Sequence, residues 1–142
     1  MTNNDQIIIV HSDGGSRGNP GPAAYGFVVS NKNSEHMYEE CGYIGETTNN
    51  VAEYTGVLKA LEWIEKNTNP KTVQVILDSE LVARQLSGIY KIKNENLKTY
   101  FGLIKQLERK IGPLITYTSV PRTQNKKADM LVNKALDDYL SK

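Results

Sequence analysis

Four carboxylates stand where a chain can put them to chemical use: Asp13, Glu53, Asp78 and Asp129. Asp13 closes the run "IIIVHSD" and Asp78 closes "VQVILD", two segments whose apolar patterns read as strands. In α/β sheets the crevice at the carboxyl ends of the strands is where sites form. If these strands are parallel neighbours, their terminal aspartates lie close together, and carboxylates that close ionise jointly only when a cation neutralises them. Glu53 and Asp129 each fall in the first turn of a segment with helical periodicity. Four such acids make a hard-oxygen site, suited to Mg²⁺ or Mn²⁺ and wrong for zinc. Each also has an ordinary structural role open to it. Asp13 can start a turn, Glu53 can answer Asn50 in a capping arrangement, Asp78 can be an N-cap, and Asp129 can face a helix dipole.

The elements that must position these acids follow from periodicity. "QIIIVHSD" (6–13) is a strand whose continuous apolar run implies burial on both faces. "AAYGFVVSN" (23–31) and "EHMYEECGYIG" (35–45) complete an antiparallel meander, with "NKNS" as a turn. From Asn49 the period changes: Val51, Tyr54, Val57, Leu58, Leu61 and Ile64 share one helical stripe that ends before "NTNP". Strand "KTVQVILD" (71–78), helices 79–88 and 94–111, strand "PLITYTSV" (113–120) and a final helix 125–140 follow. The final helix carries Ala128, Leu131, Val132, Ala135, Leu136 and Tyr139 on its apolar face. The strand–helix–strand connections require parallel pairing in the second half, so the fold class is α/β, a mixed sheet covered by helices.

Composition narrows the alternatives. At 142 residues, 39% hydrophobic and 23% charged, the chain reads as a single globular domain over 1–142, with neither a disordered composition nor a membrane span. "MTNNDQ" lacks the basic start of a signal peptide, and the single cysteine, Cys41, excludes a disulfide framework, so a cytoplasmic protein is expected. A net charge of +1 argues against a general polyanion binder. The late basic runs "KQLERK" (105–110) and "PRTQNKK" (121–127) are compatible with a local nucleic-acid footprint or with solvated helix faces.

With "DGGSRGNPGPAAYG" (13–26), "TTNNVAEYTGVLKALE" (47–62), "LDSELV" (77–82) and "VPRTQNKKADMLVNKAL" (120–136) in this order and spacing, the sequence resembles type 1 ribonuclease H from about residue 7 to 140. The resemblance implies the ribonuclease H-like fold, a five-stranded mixed sheet flanked by helices. It also implies hydrolysis of the RNA strand of RNA–DNA hybrids to 5′-phosphate and 3′-hydroxyl ends. Asp13, Glu53, Asp78 and Asp129 are the metal-binding acids of that scheme, holding two Mg²⁺ (or Mn²⁺) ions when substrate is bound. Asp13 and Asp78 would be shared between the ions, with Glu53 on the leaving-group side and Asp129 on the nucleophile side. Asn19 and Asn50 match positions in the hybrid's minor groove, and Thr48 and Asn49 match positions near a DNA phosphate. Gly14 and Gly15 would let the backbone approach the sugars, where the 2′-hydroxyl distinguishes RNA. Arg17 is a phosphate partner, and Asn125 is counted among the substrate contacts.

The sequence also departs from the family. Glu80 stands where many relatives carry glutamine, and an acid cannot donate the amide hydrogen bond to a base or sugar. No histidine follows His36, so Arg122 takes the place of the histidine common before the last acid; a guanidinium can hold phosphate but cannot act as a base. Only "GIYKIKNEN", with Lys91 and Lys93, separates the two central helices, so the basic handle of some relatives is missing and weaker hybrid affinity is expected. The expected protein is a monomeric enzyme acting in primer removal and R-loop clearance, with an RNA–DNA hybrid and no membrane as its partner. A same-fold nuclease acting on double-stranded RNA or branched DNA, and a non-catalytic binding module, are the rival readings.

Overall fold

The chain runs β1 (Ile7–Ser16), β2 (Gly21–Asn31), β3 (His36–Thr47), α1 (Asn49–Asn67), β4 (Thr72–Leu77), α2 (Glu80–Leu86), α3 (Glu95–Ile111), β5 (Leu114–Ser119) and α4 (Lys126–Leu140), with a 3-10 turn at Arg122–Gln124. This is a computed structural model in which residues 6–112 and 114–141 are described. Pro113, the expected first residue of the last strand, lies outside the described residues. The strands form one sheet in the order β3-β2-β1-β4-β5. The β1–β2 and β2–β3 pairs are antiparallel, whereas β1–β4 and β4–β5 are parallel, the mixed sheet that the connections require. No helix among the described residues is long and apolar enough to cross a membrane.

The site owes its position to a fork in this sheet. β1 pairs with β4 from Ile7↔Thr72 to His11↔Ile76, and there the parallel ladder ends. It stays on β2 as far as Ser16↔Ala23. Asp13 therefore does not terminate the strand, as the sequence suggested; it lies inside β1 opposite Gly26, just past the point where β1 and β4 part. β1 is also not buried on both faces. Ile8, Val10 and Ser12 are fully buried while Ile7, Ile9 and His11 are half-buried, the alternation of a strand whose two faces are covered unequally.

One face carries α1 and the larger core, in which Ile8, Val10, Phe27, Val29, Tyr54, Leu61 and Ile64 are closed off from solvent together with Leu97 and Ile104 of α3. The other face carries α4, where Val132, Ala135 and Leu136 pack on Ala24. Tyr139 lies at the edge of this second cluster and stacks on Tyr43 with ring centroids 3.6 Å apart. The basic run 105–110 is partly internal. Lys105 Nζ donates to Leu86 O at 2.7 Å and pairs with Glu108, which also accepts from the Tyr117 hydroxyl at 2.6 Å. That half-buried network ties α3 to α2 and β5.

Two glycines bring α1 unusually close to β1. A Cβ on Gly14 would lie 2.2 Å from Ala52 C and 2.4 Å from Glu53 N. A Cβ on Gly56 would lie 2.6 Å from Ser12 Oγ and 2.9 Å from Asp13 O. Gly56 sits mid-helix, where glycine costs about 1 kcal/mol relative to alanine, so the close approach is what it serves. Gly56→Ala should accordingly lower stability by about 1–3 kcal/mol in urea unfolding despite its better helix propensity. A stabilised variant would show that the contact is slack.

Candidate active site

The fork holds the acids. Asp13 comes from β1, Asp78 follows the last residue of β4, and Glu53 projects from the second turn of α1. One carboxylate oxygen from each lies within 4.8 Å of the others. All three are nearly withdrawn from solvent, at 4% exposure for Asp13, 8% for Glu53 and 6% for the Asp78 side chain. Asp129 is half-buried in the first turn of α4 and, with Asp13 and Glu53, lines a cleft with a volume of about 360 Å³. The capping roles open to these acids are taken by their neighbours. Thr48, not Asn50, caps α1 by accepting from Val51 N at 3.2 Å, which also places Glu53 beyond the first turn. Ser79 caps α2 by accepting from Val82 N at 3.2 Å. Neither Glu53 nor Asp78 is needed to start a helix.

The electrostatics are those of a site short of positive charge. Burial, then the neighbouring Asp78 carboxylate, pushes the Asp13 pKa up to about 7, against a hydrogen bond from Gly14 N at 2.9 Å. Glu53 is pushed up to about 9 by burial and then by Asp13 and Asp78. Asp78 is raised as well, chiefly by burial. The Arg122 guanidinium opposes the rise at all three acids. It stands 3.9 Å from Asp78 Oδ2, with a side chain 77% exposed that solvent screens. Glu53 Oε2 and Asp78 Oδ2 are buried without a hydrogen-bond partner. Buried oxygens of this kind call for a ligand, and a set of hard carboxylates fits an oxygen-seeking divalent cation.

The remaining sequence candidates divide by what they touch. Gly14, Gly15, Arg17, Asn49 and Arg122 line the cleft. Asn49 Oδ1 accepts from Ser16 N at 2.9 Å and Ser16 Oγ at 3.1 Å, while Asn49 N donates to Asn19 Oδ1 at 3.0 Å. Ser16, Asn19 and Asn49 thus knit the β1–β2 hairpin to the start of α1, which Thr48 caps and where Asn50 is half-buried in the first turn. Gly14 has an internal role in seating α1, whereas a Cβ on Gly15 would make only ordinary contacts. Glu80 pairs with Arg84 at 2.8 Å along the exposed side of α2. Asn125 is 1% exposed and donates to Ser12 O at 2.9 Å, so its amide reaches β1 rather than solvent.

Sequence reasoning missed the partners of Arg17. Its guanidinium binds Asp137 Oδ1 at 2.7 Å and Asn133 Oδ1 at 3.4 Å, both on α4. The signal was available, since Asp129, Asn133 and Asp137 recur at i, i+4 and i+8 and share one helix face. Gly56 was missed too, although a glycine inside an otherwise regular helical stripe points to close packing.

Comparison with known proteins gives the chain its family. Residues 11–135 match the family described as "Reverse transcriptase-like". The crystal structure of LC11-RNase H1, isolated from compost by a metagenomic approach and solved with an RNA/DNA hybrid, is 42% identical over 94% of this chain and 99% of that one, with a TM-score of 0.90. RNase H1 from the archaeon Halobacterium salinarum is 36% identical over 93% of this chain and 98% of that one, with a TM-score of 0.87. A "bifunctional protein" of Mycobacterium tuberculosis is 42% identical over 92% of this chain. The chain spans 35% of that relative's length.

The raised acids fix the sign of the pH dependence. Unfolded carboxyls release their protons near pH 4, whereas folded Asp13 and Glu53 hold theirs to about 7 and about 9. Between those limits the folded state binds more protons than the unfolded chain, so stability is greatest in acid and falls as pH rises. In EDTA, the calorimetric unfolding midpoint should fall from about pH 5 to about pH 9, and Glu53→Gln should remove most of that fall. A flat wild-type profile would mean that neither burial nor mutual repulsion holds these carboxyls above their ordinary range.

Proposed function

Because this chain belongs to the ribonuclease H family, we propose that it hydrolyses the RNA strand of RNA–DNA hybrids in a divalent-cation-dependent reaction giving 5′-phosphate and 3′-hydroxyl ends. The observation that carries the reading is the trio of buried carboxylates within 4.8 Å, two of them with a partnerless oxygen, beside a cleft that Asp13, Glu53 and Asp129 line. Asp13, Glu53 and Asp78 would hold the cations, with Asp129 on the wall of the cleft as a further ligand. Two Mg²⁺ or Mn²⁺ ions bound there would supply activation of the attacking water and neutralisation of charge on the phosphate and the leaving oxygen.

What the chain itself contributes can be derived from its side chains. The three buried acids are fixed by β1, β4 and α1, so no reorganisation is needed when substrate arrives. Asp129 is half-buried on the wall of the cleft and can accept a hydrogen bond that orients the attacking water. Arg122, largely exposed beside Asp78, draws the scissile phosphate toward the acids without taking up a proton. Arg17, held by Asp137, presents positive charge further along the cleft, where a phosphate of the same duplex would lie. Discrimination between RNA and DNA falls to groups that meet the 2′-hydroxyl in the shallow groove. The hairpin and the Asn49–Asn50 turn are the segments next to the cleft that can do so.

Labelled RNA–DNA hybrid, double-stranded RNA and double-stranded DNA, each incubated with Mg²⁺, Mn²⁺ or EDTA, separate this reading from its rivals. We expect cleavage of the hybrid's RNA strand in either cation, none in EDTA, and a loss of at least about 1,000-fold in Asp78→Asn. Preferential cutting of double-stranded RNA, or tight binding with no cutting, would overturn it. Arg17→Ala should raise KM and lower the salt dependence of binding by about one phosphate's worth, while kcat stays near wild type.

A further inference from the structure

The metal-binding scheme leaves the placement of Asn125 unexplained. This residue occupies the N-cap position of α4, yet its side chain makes no capping hydrogen bond. Asparagine is among the best capping residues, and a cap stabilises the start of a helix, so forgoing it needs a reason. The side chain is instead buried and turned onto β1, where its Nδ2 donates to the carbonyl of Ser12, the residue before Asp13. After the Arg122 guanidinium, the Asn125 side chain opposes the upward push of burial on the Asp78 carboxyl. Its main-chain carbonyl accepts from Asp129 N at 3.2 Å in the first turn of α4. One residue therefore touches the segments that carry Asp13 and Asp129 and acts electrostatically on Asp78.

A clamp is needed at this point in the fold. Past His11↔Ile76 no ladder pairing joins β1 to β4, so the sheet no longer sets the distance between Asp13 and Asp78. α4 lies on the opposite face from α1, and its N-terminus enters from the 3-10 turn at Arg122–Gln124. Carboxylates at this separation push one another apart when ionised, and they do so in the part of the sheet where backbone pairing has stopped. We propose that Asn125 is a positioning residue whose carboxamide ties Ser12 of β1 to the start of α4 and so sets the spacing of Asp13, Asp78 and Asp129 at which divalent cations bind.

The clamp rests on the proposed use of these acids as cation ligands, so its test reads cation binding as well as catalysis. Asn125→Ala removes the carboxamide. Asn125→Ser removes its reach but leaves a residue able to cap α4, which separates the clamp from the start of the helix. Ile104→Ala, in the core contributed by α3, serves as a control for lost stability. Each is examined by calorimetry with and without millimolar Mn²⁺, and by kcat and KM on the hybrid below its unfolding midpoint. Mn²⁺ should raise the midpoint of wild type and Ile104→Ala but scarcely move that of either Asn125 variant. In both Asn125 variants kcat should fall by about 100-fold, the effect of an ångström-scale misplacement, with KM near the wild-type value. A folded Asn125→Ser with the wild-type Mn²⁺ shift and kcat would overturn the clamp. A wild type that gains stability from Mn²⁺ yet leaves the hybrid intact would instead overturn the proposed function, and the clamp would then stand or fall on the Mn²⁺ shift alone.

Discussion

The backbone of α1 rests on the backbone of β1 where Gly14 faces Ala52 and Glu53, and where Gly56 faces Ser12 and Asp13. Side chains normally keep a helix well away from the sheet it covers, and a long acid would then be needed to bridge that gap. With the Cβ atoms missing on both sides, Glu53 lies between the two contacts and its carboxyl arrives beside Asp13. The parallel β1–β4 pairing brings up Asp78 from the other side and stops one turn of the pleat too early to interfere. Helix contact and strand divergence together produce a pocket of negative charge that neither produces alone.

Such a cluster works against folding, and the rest of the molecule has to outweigh it. The strongest anchoring lies on the α1 face and beyond it. Tyr54 of α1 is fully buried and donates to Gln85 of α2 at 2.7 Å. Trp63 stacks on Tyr38 of β3 with ring centroids 4.7 Å apart. Lys105, Glu108 and Tyr117 lock α3 to its neighbours. The helix that carries Glu53 is thus secured at several points along its length, so repulsion among the acids cannot be relieved by moving it. Local rules broken at a site and satisfied around it are a common mark of function.

Much of this was legible in the sequence because it depends on periodicity. The apolar stripe from Val51 to Ile64 requires a helix, and the strand–helix–strand order requires parallel pairing of the strands carrying Asp13 and Asp78. Strand length was less legible. β1 continues through Gly14 and Gly15 to Ser16 because its pairing with β2 holds it there, and glycine-rich segments look like turns when read alone. Contacts across long separations were not legible at all. Nothing near Asn125 in the chain indicates Ser12, and nothing near Arg17 indicates Asp137, because both pairings exist only once α4 has packed across β2 and β1. The basic run containing Lys105 shows the same limit, since a charge pattern does not reveal which lysine turns inward.

The i, i+4, i+8 series on α4 also acts as a ruler. Eight residues of helix at about 1.5 Å each separate Asp129 from Asp137 by about 12 Å. Asp129 belongs to the acid end of the cleft, while Asp137 holds the cationic Arg17 at the other. They are joined by a rigid rod rather than by a loop. The cleft therefore has a fixed polarity: carboxylates at one end and a guanidinium at the other, at a spacing that movement of a loop cannot change.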